Sequence, residues 1–474
     1  MKKWLLPIFI LFFYKLHAQA DPVFQERPTK QQLAWHEMEF YLFMHFGPNT
    51  FTDKEWGEGT EPEDLFNPTN LDCRQCCRVA KAAGAKGIII TAKHHDGFCL
   101  WPSKFSKHTV RESKWKDGKG DVLKELSQAC KEYGLKFGVY ISPWDRNHPD
   151  YGTKKYNDVF VNMMKEIFQN YGPIWELWWD GANGEGPNGK QQVYDWRRFE
   201  NTVRIYSPKT VVFSDIGPDI RWCGNENGIA GKTNWNYLDT AGFARGLGAP
   251  PTEALNQGNV FGYNWIPSEC DVSIRPGWFW HSNEDGKVKT GEQLFDLYLK
   301  SVGRGANLLL NVPPDNRGMI SENDSAALMD FKMIREKNFE KNISREGIGY
   351  YIPHNGRRPA PGINDGDPDS FEIIPIPELM SMGIEFKSPQ LINCIVLKEN
   401  IASGQNCKKF RLLFMNKEHE LIKELNGTTI GNKRIISFPT VSISIVGFSV
   451  IDQKAATKIS EIETYLIDEK LVEK

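Results

Sequence analysis

Short apolar segments alternate with amphipathic helical segments from about residue 35 to about residue 320. The apolar segments are rich in β-branched and aromatic residues, and each helical pattern between them ends at a glycine, which is a common stop signal. Repeated strand–helix units predict a parallel sheet covered by helices. We expect this sheet to close into a (β/α)8-like barrel, and the alternative is an open, doubly wound sheet. The predicted strands are "EFYLFMHFG", "AKGIIITAKHHDG", "LKFGVYISPW", "PIWELWWDG", "TVVFSDIG" and "ANLLLNVPP".

The pattern changes beyond about Ile348. There the chain consists of short alternating segments, such as "LINCIVLKENI" and "VSISIVGFSVI", without long helical patterns between them. This pattern predicts a β-sandwich. A second domain is also expected because 474 residues are too many for one compact domain of ordinary size. We therefore predict a βα barrel over residues 21–345 and a C-terminal β-sandwich over residues 346–474.

The first twenty residues resemble a targeting segment. "MKKW" is basic, "LLPIFILFFY" is an apolar run too short to span a membrane, and "AQA" provides small residues at a cleavage site. We predict a signal peptide over residues 1–20 and a mature protein that is periplasmic or secreted, without a membrane span. An uncleaved anchor is the alternative. The formal net charge of −2 argues against a nucleic-acid partner.

Polar residues follow the predicted strands at the points where the strands end. His45 follows "YLFM", His94 and His95 follow "IIITAK", Asp180 follows "ELWW", and Asp215 follows "VVFS". In a βα barrel the carboxyl ends of all strands meet at one face, which carries the active site. We therefore expect these side chains to lie close together in an active site.

Asp180 is the strongest candidate for a catalytic residue. It stands between paired tryptophans and the glycine-rich "GANGEGPNG", a loop expected to let a ligand approach the backbone. A carboxylate held beside flat aromatic faces suits the chemistry of a sugar carbon, although an aspartate before glycine is also common in turns. Glycoside hydrolysis needs a second carboxyl group as the acid. Glu226, Glu269 and Glu55 are candidates that composition alone does not rank.

The paired histidines have two possible roles. Adjacent residues on a strand point to opposite faces, so His94 and His95 rarely bind one metal ion unless the strand has already ended. Imidazoles that donate to and accept from hydroxyl groups fit better. "CRQCC" has no matching second pair of ligands, and no serine stands in a G-x-S-x-G elbow. We therefore predict no metal and no cofactor.

A set of short motifs is spread along the predicted strand ends and connecting segments. They are "HFG" from His45, "EW" at Glu55, "KHHDGF" from Lys93, "WWDG" from Trp178 and "LLLNVPPDNRGMI" from Leu308. Together they resemble the motifs of the α-L-fucosidases of glycoside hydrolase family 29, and the combination is specific although each motif alone is not. "KENIASGQ", "TTIGNKRI" and "ISEIETY" resemble the C-terminal sandwich of that family, so the resemblance covers essentially the whole mature chain.

This resemblance implies a βα barrel without a metal, and a retaining double displacement on a fucosylated oligosaccharide or glycoconjugate. Asp180 matches the position of the family's nucleophile, and Glu55 matches a residue that accepts a hydrogen bond from a sugar hydroxyl. The residues that match those gripping the fucose ring are His45, Trp56, His94, His95 and Trp178, with Tyr140 as a weaker match.

Two further segments resemble one branch of the family. "GANGEGPNG" and "RWCGNENG" are similar to the branch that cleaves α-1,3- and α-1,4-linked fucose from branched glycans. In that branch the glutamate of "GNE" is the acid/base, which implies this role for Glu226. We expect Arg221 to orient Glu226 or bind sugar, and Trp278 to be either a pocket wall or a core residue. A broad-specificity α-L-fucosidase, another retaining glycosidase or a non-catalytic glycan-binding protein are the alternatives.

Overall fold

Eight parallel strands close into a barrel in the computed structural model, which describes residues 25–246, 250–352, 356–375 and 381–473. Each strand pairs with its neighbours in chain order, and the last pairs with the first. This confirms the closed barrel and excludes the open sheet. The predicted signal peptide lies outside the described residues. The strands are β1 (Phe40–Met44), β2 (Gly87–Lys93), β3 (Lys136–Ile141), β4 (Glu176–Trp178), β5 (Val211–Ser214), β6 (Ile220–Trp222), β7 (Ser268–Ser273) and β8 (Asn307–Asn311).

Helices follow most of the barrel strands, but residues 215–219 alone connect β5 to β6. The regular alternation predicted from the sequence is therefore broken at this point. Asp72, Asp121 and Asp195 cap their helices by accepting a hydrogen bond from a first-turn backbone N–H. The α-helices are α1 (Lys30–His36), α2 (Cys73–Ala82), α3 (Val122–Tyr133), α4 (Lys154–Asn170), α5 (Trp196–Tyr206), α6 (Thr252–Gln257), α7 (Gly291–Lys300) and α8 (Glu322–Phe339).

Alternate residues of each strand point into the barrel. Trp178 packs there against Phe213, with stacked rings 3.9 Å apart. Trp179 lies on the opposite face and packs against the side chains of α5. Of the two adjacent tryptophans of "WWDG", one therefore packs in the barrel interior and the other packs between the barrel and α5. Large apolar side chains fill the interior of the barrel, as they do in other βα barrels. They include Trp35, Tyr41, Phe43, Ile89, Tyr140, Val211, Ile220 and Leu309.

The C-terminal region is an antiparallel β-sandwich, as the sequence predicted. Two long strands run through it, Ser381–Glu399 (β12) and Arg434–Gln453 (β15), and their pairing with each other changes register partway. Apolar side chains such as Phe410, Phe448 and Ile462 fill its separate core. The strands are β9 (Ile348–Ile352), β10 (Arg358–Pro359), β11 (Glu372–Ile374), β12 (Ser381–Glu399), β13 (Cys407–Met415), β14 (Leu421–Gly427), β15 (Arg434–Gln453) and β16 (Thr457–Tyr465).

Backbone and amide hydrogen bonds hold the sandwich against the barrel. Gln405 accepts from the backbone N–H of Asn236 at 2.8 Å and donates to the carbonyl of Asn234 at 2.9 Å. The N–H of Ile435 donates to the carbonyl of Gly303 at 2.8 Å. The sandwich therefore braces the loop between β6 and β7 and the turn after α7. Within the described ranges, no helix combines the length and apolar character needed to cross a bilayer.

Candidate active site

A cavity of about 180 Å³ opens at the carboxyl ends of the barrel strands. Ten of the residues predicted for the site line this cavity, whereas Arg221, Asp215 and the alternative acid Glu269 do not. We divide the lining residues into two groups. The floor comprises His45, His94, His95, Tyr140, Trp178 and Asp180, which lie on or directly after β1 to β4. The rim comprises Glu55, Trp56, Glu226 and Trp278, which lie on connecting loops.

Neighbouring groups orient the Asp180 carboxylate at the end of β4. The backbone N–H of Ala182 donates to Oδ1 at 2.8 Å, and the hydroxyl of Tyr140 donates to Oδ2 at 3.0 Å. Burial and the negative charge of Asp180 hold the pKa of Tyr140 well above its usual range, so its hydroxyl remains a donor. The side chain of Asp180 is 27% exposed. An oriented carboxylate of this kind can reach a ligand in the cavity.

The first part of the glycine-rich loop after Asp180 is packed, whereas residues 187–190 are exposed, so the loop is less open to a ligand than expected. A Cβ atom at Gly181 would overlap the carboxylate of Asp215, and one at Gly184 would overlap the indole of Trp144. The indole N–H of Trp144 donates to the carbonyl of Glu185 at 3.0 Å. The glycines therefore let the loop lie close to its neighbours, and Ala182 is its contribution to the cavity lining.

His45 presents a hydrogen-bond acceptor to the cavity. Its Nδ1 lies 2.8 Å from Oδ1 of Asn311, whose amide nitrogen donates to Ser273 and to the carbonyl of Trp278. Because the orientation of the amide is fixed in this way, Nδ1 of His45 carries the proton and Nε2 is left as the acceptor. Burial lowers the pKa of His45 to about 4, so the ring is neutral near neutral pH.

His95 is held in the same tautomer by a different partner. Ser142 donates its only hydroxyl proton to the carbonyl of Trp144 at 3.0 Å, so its oxygen accepts from Nδ1 of His95 at 2.8 Å. Nε2 of His95 lies 3.7 Å from Oδ2 of Asp180. Burial lowers the pKa of His95 to about 4 and that of His94 to well below its usual value. The floor therefore offers neutral acceptors to a ligand.

Both adjacent histidines face the cavity because β2 ends at Lys93, before either of them. Their ring centroids are 4.2 Å apart, and His94 stacks on Tyr140. The alternation argument for opposite faces does not apply beyond the end of a strand. Among the described residues, no group of three or more histidine, cysteine or acidic side chains is arranged to hold a metal ion.

The rim consists of more exposed groups joined by hydrogen bonds. Glu226 is exposed, and its Oε2 accepts from Nε1 of Trp278 at 3.3 Å. The backbone N–H of Trp278 donates to Oε2 of Glu55 at 2.7 Å. Trp278 therefore lies on the cavity wall and connects the two rim carboxylates. Trp56 is 51% exposed and meets His95 edge to face.

The expectation for Arg221 was wrong. Its side chain is fully buried, and its guanidinium donates to the carbonyls of Leu255, Trp235 and Ile266 and to the side chain of Asn234. These bonds use the donors of the guanidinium and hold it outside the cavity lining. Proximity to Glu226 in sequence did not place the two side chains together, because the strand ends between them at Trp222.

Glu269, the competing candidate for the acid, lies in the interior of the barrel beneath the cavity. It is fully buried, accepts from Nε1 of Trp178 at 2.8 Å and also accepts from the hydroxyl of Tyr41. Burial raises the pKa of Glu269, and burial together with repulsion from Glu269 raises that of neighbouring Glu176. This network supports Trp178 from below and keeps Glu269 out of the cavity lining, where Glu226 and Glu55 are the two glutamates.

Asp271 also lines the cavity, although the sequence reasoning did not select it. It is 4% exposed and accepts from Nε1 of Trp222 at 2.9 Å. Burial raises its pKa well above the usual range. The sequence feature that could have identified Asp271 is the alternation of β7, in which Glu269, Asp271 and Ser273 share one face of the strand. Asp271 can therefore act as a neutral hydrogen-bond donor in the cavity wall.

Comparisons with known proteins agree with this geometry. The sequence model of the family described as Alpha-L-fucosidase matches residues 24–334. Alpha-L-fucosidase 1 of Arabidopsis thaliana is 40% identical over 421 residues, covering 87% of this chain and 82% of that protein. A glycoside hydrolase 29 family member from an unknown rumen bacterium superposes with a TM-score of 0.83 at 39% identity, covering 95% of this chain and 78% of that one.

A further structural relative was solved with a sugar. The Ruminococcus gnavus GH29 fucosidase in complex with fucose superposes with a TM-score of 0.84 at 28% identity, covering 96% of this chain and 98% of that one. The match of the family model, the identity to the plant relative and the shared architecture all agree. The chain therefore belongs to the α-L-fucosidases of glycoside hydrolase family 29.

Proposed function

We propose that the protein is a retaining exo-α-L-fucosidase that removes terminal α-1,3- and α-1,4-linked L-fucose from branched glycans. The observation that carries this proposal is the pairing of two carboxyl groups in one small cavity, with Asp180 on the floor and Glu226 on the rim. Retaining glycosidases use two such groups, one as a nucleophile and one as an acid and base.

The double displacement assigns a role to each group. Asp180 attacks the anomeric carbon while Glu226 gives its proton to the departing glycosidic oxygen, so the C–O bond breaks and a fucosyl ester forms. Glu226 then takes a proton from water, whose oxygen attacks the same carbon and releases Asp180. Two inversions at the anomeric carbon leave its α configuration unchanged. Tyr140 and the backbone of Ala182 hold Asp180 in position for the attack.

The remaining lining residues suit a 6-deoxy sugar. Fucose has ring hydroxyls that need fixed partners and a methyl group that needs an apolar wall. The neutral Nε2 atoms of His45 and His95 accept hydrogen bonds from hydroxyls, and so does the carboxylate of Glu55. The indoles of Trp178 and Trp278 provide apolar surface. The fucose complex of the Ruminococcus gnavus relative supports the choice of sugar.

The preference for branched substrates is the finer part of the proposal. It rests on the resemblance of "GANGEGPNG" and "RWCGNENG" to one branch of the family, and on their positions. Ala182 and Glu226, one from each segment, line the cavity. Sugars that flank the fucose can therefore contact these segments, and contacts strengthened in the transition state raise kcat as well as affinity.

The test is a comparison of kcat/KM for a Lewis-type trisaccharide, 2′-fucosyllactose and an aryl α-L-fucoside under one condition. We expect the trisaccharide to exceed the other two by at least about tenfold. Equal kcat/KM values for the three substrates would point instead to a broad-specificity α-L-fucosidase. Hydrolysis of an aryl galactoside but not of the fucoside would overturn the assignment of the sugar. Binding of the trisaccharide without hydrolysis would indicate a non-catalytic glycan-binding protein.

We also propose that the protein is exported and cleaved after Ala20, and so becomes periplasmic or secreted. The basic start, the short apolar run and the small residues before position 21 support this. N-terminal sequencing of the protein from the fraction outside the cytoplasm should begin at Asp21. An intact Met1 in a membrane fraction would indicate an uncleaved anchor.

A further inference from the structure

A histidine outside the cavity lining joins two loops that form the rim. His281 lies after β7, and its side chain is 9% exposed. Nε2 lies 2.6 Å from Oε1 of Glu55, and Nδ1 lies 3.0 Å from Oδ1 of Asp53. Asp53 and Glu55 belong to the loop that follows β1. Each ring nitrogen of His281 therefore faces a carboxylate oxygen of that loop.

This geometry selects the charged form of the ring. A neutral imidazole has one N–H, so it would donate to one carboxylate and turn a lone pair toward the other. An imidazolium donates from both nitrogens, and both bonds are then strengthened by charge. The two short distances on opposite sides of the ring are consistent only with donation to both Asp53 and Glu55 when these carboxylates are ionised.

The surrounding charges act in the same direction. Glu284, in the turn after His281, adds a third nearby carboxylate, which accepts from the backbone N–H of Gly277 at 3.3 Å. Arg275 donates to the carbonyl of His281, but its guanidinium is also bonded to Asp324 and Asp285. Burial lowers the pKa of His281, and the bonds with Glu55 and Asp53 outweigh it, so the net shift is upward from 6.5.

We propose that His281, as an imidazolium, is a positioning residue that fastens the loop carrying Glu55 and Trp56 to the segment carrying Trp278. The proposal rests on the proposed function, because it is the assignment of the cavity to fucose that gives Glu55 a sugar hydroxyl to bind. Glu55 is the shared element. His281 orients one of its oxygens, and the backbone N–H of Trp278 orients the other at 2.7 Å. Each oxygen retains a lone pair for a ligand.

The clamp gives substrate binding a dependence on pH. His281 is charged below its raised pKa, so the loop is fastened in that range and released as the pH rises through it. Loss of the clamp weakens contacts made to the bound sugar in both the ground state and the transition state. The expected consequence is a KM that rises on the alkaline side while kcat changes little.

The experiment compares His281→Gln with the wild type and with the control His419→Gln, an exposed histidine in a sandwich turn. KM and kcat for an aryl α-L-fucoside are measured from about pH 6 to about pH 9. We expect His281→Gln to raise KM about tenfold at the acidic end, change kcat less than about threefold, and flatten the alkaline rise in KM. His419→Gln should match the wild type. An unchanged KM profile in a folded His281→Gln protein would overturn the proposal.

A second variant keeps the histidine and removes one of its partners. Asp53 has an exposed side chain and a positive φ of 56°, a conformation that asparagine tolerates, so Asp53→Asn should fold normally. We expect it to lower the pKa of His281 and to shift the alkaline rise in KM to lower pH. Superimposable KM profiles for Asp53→Asn and wild type would contradict the clamp.

Nitrogen-15 NMR of the histidines, with His281→Gln used for assignment, reads the protonation state without any turnover. At pH 6 the proposal requires both nitrogens of His281 to be protonated, and a neutral tautomer there would overturn it. Failure of the proposed function looks different. The wild type would not hydrolyse the fucoside at all, while the NMR measurement would still report on His281.

Discussion

The floor and the rim of the cavity are built in different ways. Floor residues such as Tyr140 and His95 are 1% and 2% exposed, lie on or just after strands, and have partners fixed in the barrel. Rim residues such as Trp56, which is 51% exposed, lie on loops. Trp278 is bonded to Glu226 and Glu55, Glu55 is also bonded to His281, and Trp56 meets His95 of the floor. A sugar ring therefore meets a buried, preorganised surface below it and a more exposed border of loop residues around it.

In the proposed function the floor binds fucose alone, whereas the rim binds fucose through Glu55 and Trp278 and also borders the rest of the glycan. Preorganised groups lose little freedom on binding, so they suit a ligand part that is always the same. Loop residues tolerate variation, so they suit the part that differs between substrates. We therefore expect substitutions on the floor to affect all fucosides alike, and substitution of Glu226 on the rim to affect them unequally.

The largest effect is expected from Asp180→Asn. The variant keeps the hydrogen bond from Ala182 but cannot form the fucosyl ester, so kcat should fall by at least about a thousandfold for every fucoside. Kinetics on an aryl fucoside and on a Lewis-type trisaccharide, with circular dichroism to confirm folding, provide the check. A variant that keeps near-normal activity on either substrate would remove Asp180 from the floor's central role.

A smaller and unequal effect is expected from Glu226→Ala. Natural glycans have poor leaving groups and need a proton from the acid, whereas an activated aryl fucoside needs little help at that step. We expect kcat for the trisaccharide to fall about a hundredfold or more. The rate at which the variant releases the aryl group from an activated aryl fucoside should fall far less. Glu269→Gln is the matched comparison. If that variant shows the unequal loss instead, Glu226 is not the acid.

The neutral histidines of the floor make a moderate contribution to stability at neutral pH. The folded pKa of His45 is lowered to about 4 from about 6.5, so its contribution is present above pH 6.5 and is lost as the pH falls toward 4. Between pH 6.5 and pH 4 the free energy of unfolding should therefore decrease less in His45→Asn than in the wild type, by about 1 to 3 kcal/mol. Urea unfolding at several pH values measures this, with His419→Asn as the control. Parallel curves for wild type and His45→Asn would show that burial does not suppress protonation of this ring.

Chelation is expected to have no effect. Nδ1 of His45 is bonded to Asn311, and Nδ1 of His95 is bonded to Ser142. In the proposed function Nε2 of each ring accepts a hydrogen bond from a sugar hydroxyl rather than binding a metal ion. Dialysis against a chelator should leave kcat/KM for an aryl fucoside within error of the untreated enzyme. A loss that zinc or calcium restores would mean that the floor binds a cation rather than a sugar hydroxyl.

The fold was predictable from the sequence where the pattern is strong. Long apolar strands followed by amphipathic helices identified the barrel. The strands β6 and β7 were missed because β6 has only three residues and because the inward residues of β7 are polar. Residues directly after the strongly apolar strands, including Asp180, could be selected as site candidates because parallel strand ends converge. Strand periodicity alone accounts for this part of the floor.

The rim and the supporting contacts depend on how distant loops meet. Arg221 was placed in the site because it is close to Glu226 in sequence, but the loop after Trp222 separates their environments. His281 was missed because its partners lie more than two hundred residues away on the loop after β1. No local pattern reports such a contact, so the sequence gives no basis for predicting it without the three-dimensional arrangement.

Azide rescue tests the central claim most directly, because the configuration of its product distinguishes the floor carboxylate from the rim carboxylate. In Asp180→Gly, azide should occupy the space of the missing nucleophile and attack an activated aryl α-L-fucoside once, giving the inverted β-fucosyl azide. In Glu226→Ala, azide should attack the fucosyl ester on Asp180 and give the α-fucosyl azide. Proton NMR of the two products distinguishes them. A β-azide from Asp180→Gly and an α-azide from Glu226→Ala are the predicted results, and the reverse pair would contradict the assignment of both residues.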